Sequence, residues 1–164
     1  MSVVLPPPLH IKTALGAFDE HARISARAAG TIGLAAVRRT MPARSGRARR
    51  GQRLTVRRTP TGYISDVAPT SRVKYPNGVT AKQVTRWVDR GTGIHGPRHQ
   101  PIRPRKGGVF RLPGGFVANE LPGQRPQHVY SRAQTSSQAL AQRTLMLGAR
   151  KAARAAERAI TGGR

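Results

Sequence analysis

Fourteen of the 36 residues at positions 91–126 are proline or glycine, and that density forbids regular secondary structure across most of the middle of the chain. Proline withholds the N–H that a helix interior or central strand needs, and glycine weakens both. The centre must therefore be loop, held in shape by whatever flanks it. The flanking sequences read as long helices on either side of this stretch and a small sheet before it. The fold class expected is α+β: long N-terminal and C-terminal helices packed on a small antiparallel sheet, with a protruding Pro/Gly/Arg-rich central loop or hairpin at about 91–126. At 164 residues the chain is expected to form an extended proline arm at 1–8 and a single domain at 9–164.

In the arm, three consecutive prolines favour a polyproline-II segment with no internal hydrogen bonds. Residues 9–41 follow a helical period, with Ile11, Leu15, Phe18, Ala22, Ala26, Ala29, Gly33 and Val37 on one face. Gly30 marks a place where that helix is expected to break, because each interior glycine costs about 1 kcal/mol relative to alanine. Pro42 ends it by pushing Met41 out of the helical region. Two alternating runs follow, Leu54 and Val56 in one, Tyr63, Ser65 and Val67 in the other, and they predict an antiparallel pair with one wet face. Val73-Lys74-Tyr75 is expected as a weak third strand, with a turn at Asn77-Gly78. Thr80 to Arg90 fits either a short helix or a strand leading into the glycines. A hairpin is expected from Val109-Phe110-Arg111-Leu112 to Phe116-Val117-Ala118. Ser131 and Gln134 have the spacing of a capping box for the last helix. Its apolar stripe, Ala141, Leu145, Gly148, Ala152, Ala156 and Ala159, is made of small residues and suits close approach of another helix.

Charge restricts the partners. Thirty basic residues stand against six acidic ones, a net charge of +24. A coding bias towards arginine would not explain the scarcity of acids, and the excess calls for a polyanionic or acidic partner. Arg98, Arg103, Arg105, Lys106 and Arg111 form a basic run, broken by prolines and glycines, that can face a phosphate backbone or an acidic protein surface. Aromatic residues are too few for a base-stacking platform. With no cysteines, disulfides, thiolate metal sites and a cysteine nucleophile drop out. His95 and His99 are four apart, but two prolines prevent a helix there and flanking arginines repel a cation, so no metal site is expected. Scattered carboxylates give no acid–base pair, Gly91-Thr92-Gly93 lacks a third glycine, and Arg105-Lys106-Gly107-Gly108 is not a phosphate-binding loop. Neither an enzyme nor a cofactor is indicated. The first residues lack the form of a signal peptide, no run is long enough to span a membrane, and a cytoplasm-like compartment is expected.

Several motifs recur in an order that resembles a tailed-phage family, the small neck or tail-completion proteins of siphophages, with the minor tail protein Z of lambda-like phages as a distant relation. The Ala-rich first helix ends at Pro42, with a Ser45-Gly46-Arg47 turn. Trp87-Val88-Asp89-Arg90-Gly91-Thr92-Gly93 is similar to the family's aromatic–Val–acid–x–Gly–Thr stretch. Pro101-Ile102-Arg103-Pro104 then leads into a basic, glycine-rich run. Gly123 and Pro126, in Pro122-Gly123-Gln124-Arg125-Pro126-Gln127, precede the closing helix. The likeness spans about residues 10–160. It departs where the family's Pro-Phe-aliphatic-Arg-Pro-Ala pattern faces Gln127-His128-Val129-Tyr130-Ser131-Arg132-Ala133, which leaves the start of the last helix open. The resemblance implies a structural virion protein at the head–tail junction, assembled in the host cytoplasm. It further implies a homo-oligomeric ring, sixfold like the tail, whose partners are stopper, tail-terminator and connector proteins and, nonspecifically, genomic double-stranded DNA. The alternative from charge alone is a basic, sequence-nonspecific nucleic-acid-binding protein.

Overall fold

The computed structural model describes residues 8–42, 46–104, 108–111 and 115–161. Positions 1–7 of the expected arm fall outside them, while Pro8 is the first residue of helix α1 (Pro8–Thr40), where its fixed φ suits a helix start. The order continues with α2 (Arg47–Arg50), β1 (Gln52–Thr59), β2 (Gly62–Pro69), α3 (Ala81–Arg90), a 3-10 turn (Gly93–His95), β3 (Phe110–Arg111), β4 (Val117–Ala118) and α4 (Val129–Thr161). The fold is α+β: two long helices with a small two-stranded antiparallel sheet, β1 beside β2. The chain packs as two compact units. One is Met1–Ala36, Arg53–Ala68 and Gln134–Arg164, and the other is Val37–Gln52 and Pro69–Ala133.

In the first unit the β1–β2 pair turns Leu54, Val56, Tyr63, Ser65 and Val67 inward and leaves Arg53, Thr55, Arg57 and Ile64 in water, as the alternation predicts. Ser65 donates its hydroxyl hydrogen to the Ala26 carbonyl, and Tyr63 donates to Asp19 Oδ2 at 2.8 Å, so the sheet lies directly on α1. No break occurs at Gly30. Instead the helix runs straight through, because the glycine is where the sheet comes closest: a Cβ there would stand 2.5 Å from Leu54 Cδ1 and 2.8 Å from Ser65 Cβ. Gly148 of α4 has the same part against α1, since a Cβ at that position would fall on Ser25. Small residues thus fill the helix contacts, with Ala26, Ala29 and Ala152 buried. The first half of the α1 stripe is not core. Ile11 is 41% exposed, Leu15 64% and Phe18 46%, while Ala14 is buried in their place.

The second unit has its own core of Val37, Met41, Ala48, Ala81, Val88, Val129 and Ala133. The open alternative at Thr80 to Arg90 resolves to helix. Thr80 Oγ1 accepts from the Gln83 N–H at 3.2 Å while Gln83 Oε1 accepts from the Thr80 N–H at 2.9 Å, a complete capping box. Val73-Lys74-Tyr75 forms no strand and contributes only an isolated bridge, Lys74 to Thr80. A tight turn closed by Gly78 N–H to Tyr75 O at 3.0 Å brings those two residues together, and Gly78 has φ +78°. The second hairpin is shorter than its apolar flanks, pairing Phe110 with Ala118 and Arg111 with Val117. Its turn, 112–114, lies outside the described residues. Ser131, expected as the cap of the last helix, lies inside it, because α4 begins two residues earlier. Gln127 N–H to Val88 O, at 2.9 Å, and His128 N–H to Asp89 O, at 3.3 Å, fix the chain so that Val129 can already turn into helix. Ser131 Oγ donates instead to His128 O at 3.1 Å.

Candidate functional site

The residues that carry the motif order meet in the second unit, where two glycine-containing segments lock face to face. Thr92 N–H reaches Gln124 O at 2.9 Å, Ile94 N–H reaches Pro122 O at 2.8 Å, and Gln124 N–H returns to Thr92 Oγ1 at 2.9 Å. Gly93 sits at φ +63° and Gly123 at +89°, and a Cβ on either would collide with the backbone of the other segment. Only glycine allows both the left-handed backbone and the close approach. Ile102 and Leu121 extend the contact by exchanging two backbone hydrogen bonds, 2.8 and 2.9 Å. At Gly91, with φ +76°, a Cβ would stand 2.6 Å from His95 O, 2.8 Å from Gln124 O and 3.0 Å from Pro126 Cδ. Asp89 Oδ1 accepts from Tyr130 N–H at 3.2 Å, placing a carboxylate at the start of α4, where it offsets the positive end of the helix dipole.

Below the clasp lies a buried polar network. Gln52 is fully buried, yet its amide donates to Ala48 O at 3.1 Å and Thr85 Oγ1 at 3.0 Å, and its oxygen accepts from Tyr130 Oη at 2.9 Å. Burial, and then the Asp89 charge, push the Tyr130 phenol up to about 12. The Gln52 carbonyl also accepts from Arg38 at 3.2 Å. Gln52 thus joins the end of α1, α2, α3 and the start of α4, and among the described residues no buried side-chain polar atom lacks a partner. Nothing in the local sequence pattern points to this residue, since a glutamine among arginines looks like surface.

On the open side of the clasp is a cavity of about 690 Å³, lined by residues that include Trp87, Gly91, Thr92, Gly93 and Pro101, together with Arg86 and Arg98. Trp87 is 42% exposed there. Three residues of the basic run are described. Arg98 lines this cavity, Arg103 pairs with Glu120 at 3.3 Å, and Arg111 is exposed on β3. Arg105 and Lys106 lie outside the described residues. Arg86, which sequence reasoning passed over, joins Arg98 because it immediately precedes Trp87 in α3.

Arginines occupy most of the few carboxylates. Asp19, Glu20, Asp66 and Glu120 are in ion pairs, and Asp89 caps α4. His99 has φ +50°, with Nδ1 3.2 Å from Ile94 O, and His95 belongs to the 3-10 turn. Among the described residues no three metal-binding side chains come together, and no helix is long and apolar enough to cross a membrane. The cavity presents one aromatic face, apolar walls and two cations. No family model matches the chain, and neither a curated protein nor a solved structure matches it.

Proposed function

We propose that this chain is a structural virion protein of the phage neck, a subunit of an oligomeric ring that joins or completes the head–tail connection and through which DNA passes. The observation that carries the reading is an inversion of side-chain size in the first unit. Its buried apolar residues are alanines, whereas Ile11, Leu15 and Phe18 of α1 and Leu140, Leu145, Met146 and Leu147 of α4 are 41–64% exposed. Scattered single apolar residues are ordinary on a surface, but runs of large ones on both long helices suit burial by neighbouring copies. The motif order gives the kind of assembly, and the charge of +24 gives the ring an anionic content. Copies carrying so much like charge repel one another unless DNA or acidic partners offset it. No catalytic step is assigned.

A reconstruction of phage particles by electron microscopy tests the reading. Density for the protein in a closed ring at the head–tail joint is expected, and density anywhere else in the particle refutes it. The excess of basic over acidic residues, with four of the six carboxylates already paired to arginine, favours one alternative, a free nonspecific nucleic-acid binder. That protein would hold DNA as a monomer, its affinity falling linearly in log–log plots against salt. A neck subunit would instead associate chiefly with its assembly partners.

A further inference from the structure

We infer that the Trp87 cavity is a docking site for an extended, acidic peptide segment of a partner protein, one that inserts a proline or aliphatic side chain against the indole. The walls beside Trp87 include Pro97, Pro101 and Ile102, and the cavity of about 690 Å³ falls in the range of sites that hold small ligands or a few side chains, ~300–1,000 Å³. Tryptophan beside other apolar walls is the surface that extended proline-containing segments use, because the partner is already stiff and loses little entropy on binding. The charge at the site has one sign. Arg86 and Arg98 are both exposed lining residues, and neither is in any ion pair found among the described residues. Arginine forks match carboxylates in two-point contacts, so acids flanking the inserted residue are the complementary chemistry.

A nucleic-acid strand fits less well. Stacking along single strands needs a succession of aromatic faces, and the cavity offers one ring. A duplex has no side chain to insert. The glycine clasp also ties two lining segments together: hydrogen bonds join 92–94 to 122–124, and a wall held in place in this way lowers the ordering cost of binding. The inference goes beyond the neck assignment. It concerns binding in solution and stands or falls separately from where the protein sits in a particle.

Trp87 is the chain's single tryptophan, so its fluorescence reports on this cavity alone. The full-length chain is titrated with a synthetic peptide holding Pro-Leu-Pro between pairs of Asp, with the same peptide carrying Asn for Asp, and with a 12-nucleotide oligothymidylate. Saturable change in the Trp87 emission with the acidic peptide is expected, at least tenfold weaker with the Asn peptide and weakening as salt rises. Arg86→Glu with Arg98→Glu should lower affinity for the acidic peptide at least tenfold. The Arg→Gln pair should give an intermediate loss, with the far-ultraviolet circular dichroism unchanged in both. Absence of any emission change, equal binding of the two peptides, undiminished binding by both arginine variants, or displacement of the acidic peptide by oligothymidylate at lower concentration would each overturn the inference.

Discussion

Two glycines lie within the long helices in opposite surroundings, and replacing each with alanine isolates the contact between the helices from helix propensity. Gly16 in α1 has nothing within 4 Å of the place a Cβ would occupy. Gly16→Ala should therefore stabilise by the propensity difference alone, about 1 kcal/mol. At Gly148 the same methyl group would fall on Ser25 Cβ and Oγ. Ser25 is buried and its Oγ is committed to His21 O at 2.7 Å, so it cannot swing away. Overpacking of this kind costs about 1–3 kcal/mol, and Gly148→Ala should come out neutral to about 2 kcal/mol destabilised after the propensity gain. The split between the variants is then the steric cost itself. For 164 residues an unfolding entropy of about 0.34 kcal/mol/K makes 1 kcal/mol worth ~3 °C. Thermal melts followed at 222 nm in one buffer should separate the two midpoints by about 3–9 °C. Ser25→Gly should restore much of the loss when combined with Gly148→Ala, but not when combined with Gly16→Ala. Equal midpoints for the two alanine variants would refute the close approach of α1 and α4 at Ser25.

Two further outcomes follow from the second unit. The raised phenol of Tyr130, at about 12 against an ordinary 10, means that the folded protein holds that proton more tightly than the unfolded chain. The stability tied to it is intact below about pH 10 and is lost as pH rises towards 12. Partial exposure brings the stability tied to this proton down from ~2.7 kcal/mol to about 1–2 kcal/mol. Urea melts between pH 9 and 12 should show this decline in the parent and a shallower one in Tyr130→Phe, and parallel curves would contradict it. Gly93→Ala should cost at least about 2 kcal/mol locally, from the left-handed backbone and the collision with Pro122. Hydrogen exchange at the Thr92 and Ile94 amides should speed up by more than tenfold, while the amides of α1 in the first unit keep their protection.

Several features were legible in the sequence because they depend on neighbours along the chain. The alternation of Leu54, Val56, Tyr63, Ser65 and Val67 sets a strand pair with one wet face in any surroundings. Proline and glycine density at 91–126 determines loop, and the spacing of Ala and Gly in the two long helices determines that something packs closely there. Other features depend on what arrives from elsewhere in the chain. Gly30 resembles a helix breaker until Leu54 and Ser65 are seen against it. Thr80–Arg90 was ambiguous in period, and its capping box together with the burial of Ala81, Thr85 and Val88 decides for helix. Ser131 had the right spacing for a cap, but bonds from 127 and 128 to the end of α3 start the helix earlier and hand the capping to Asp89. Within the basic run of the central loop, the fold pairs Arg103 with Glu120 and brings Arg98 to a cavity shared with Arg86 and Trp87. Sequence by itself determined the two long helices, the strand pair, the central loop and the charge. Tertiary structure decided which glycines are contacts, which carboxylates the described arginines pair with, and that a buried glutamine joins one unit together, because each of those rests on atoms brought close by folding rather than by order along the chain.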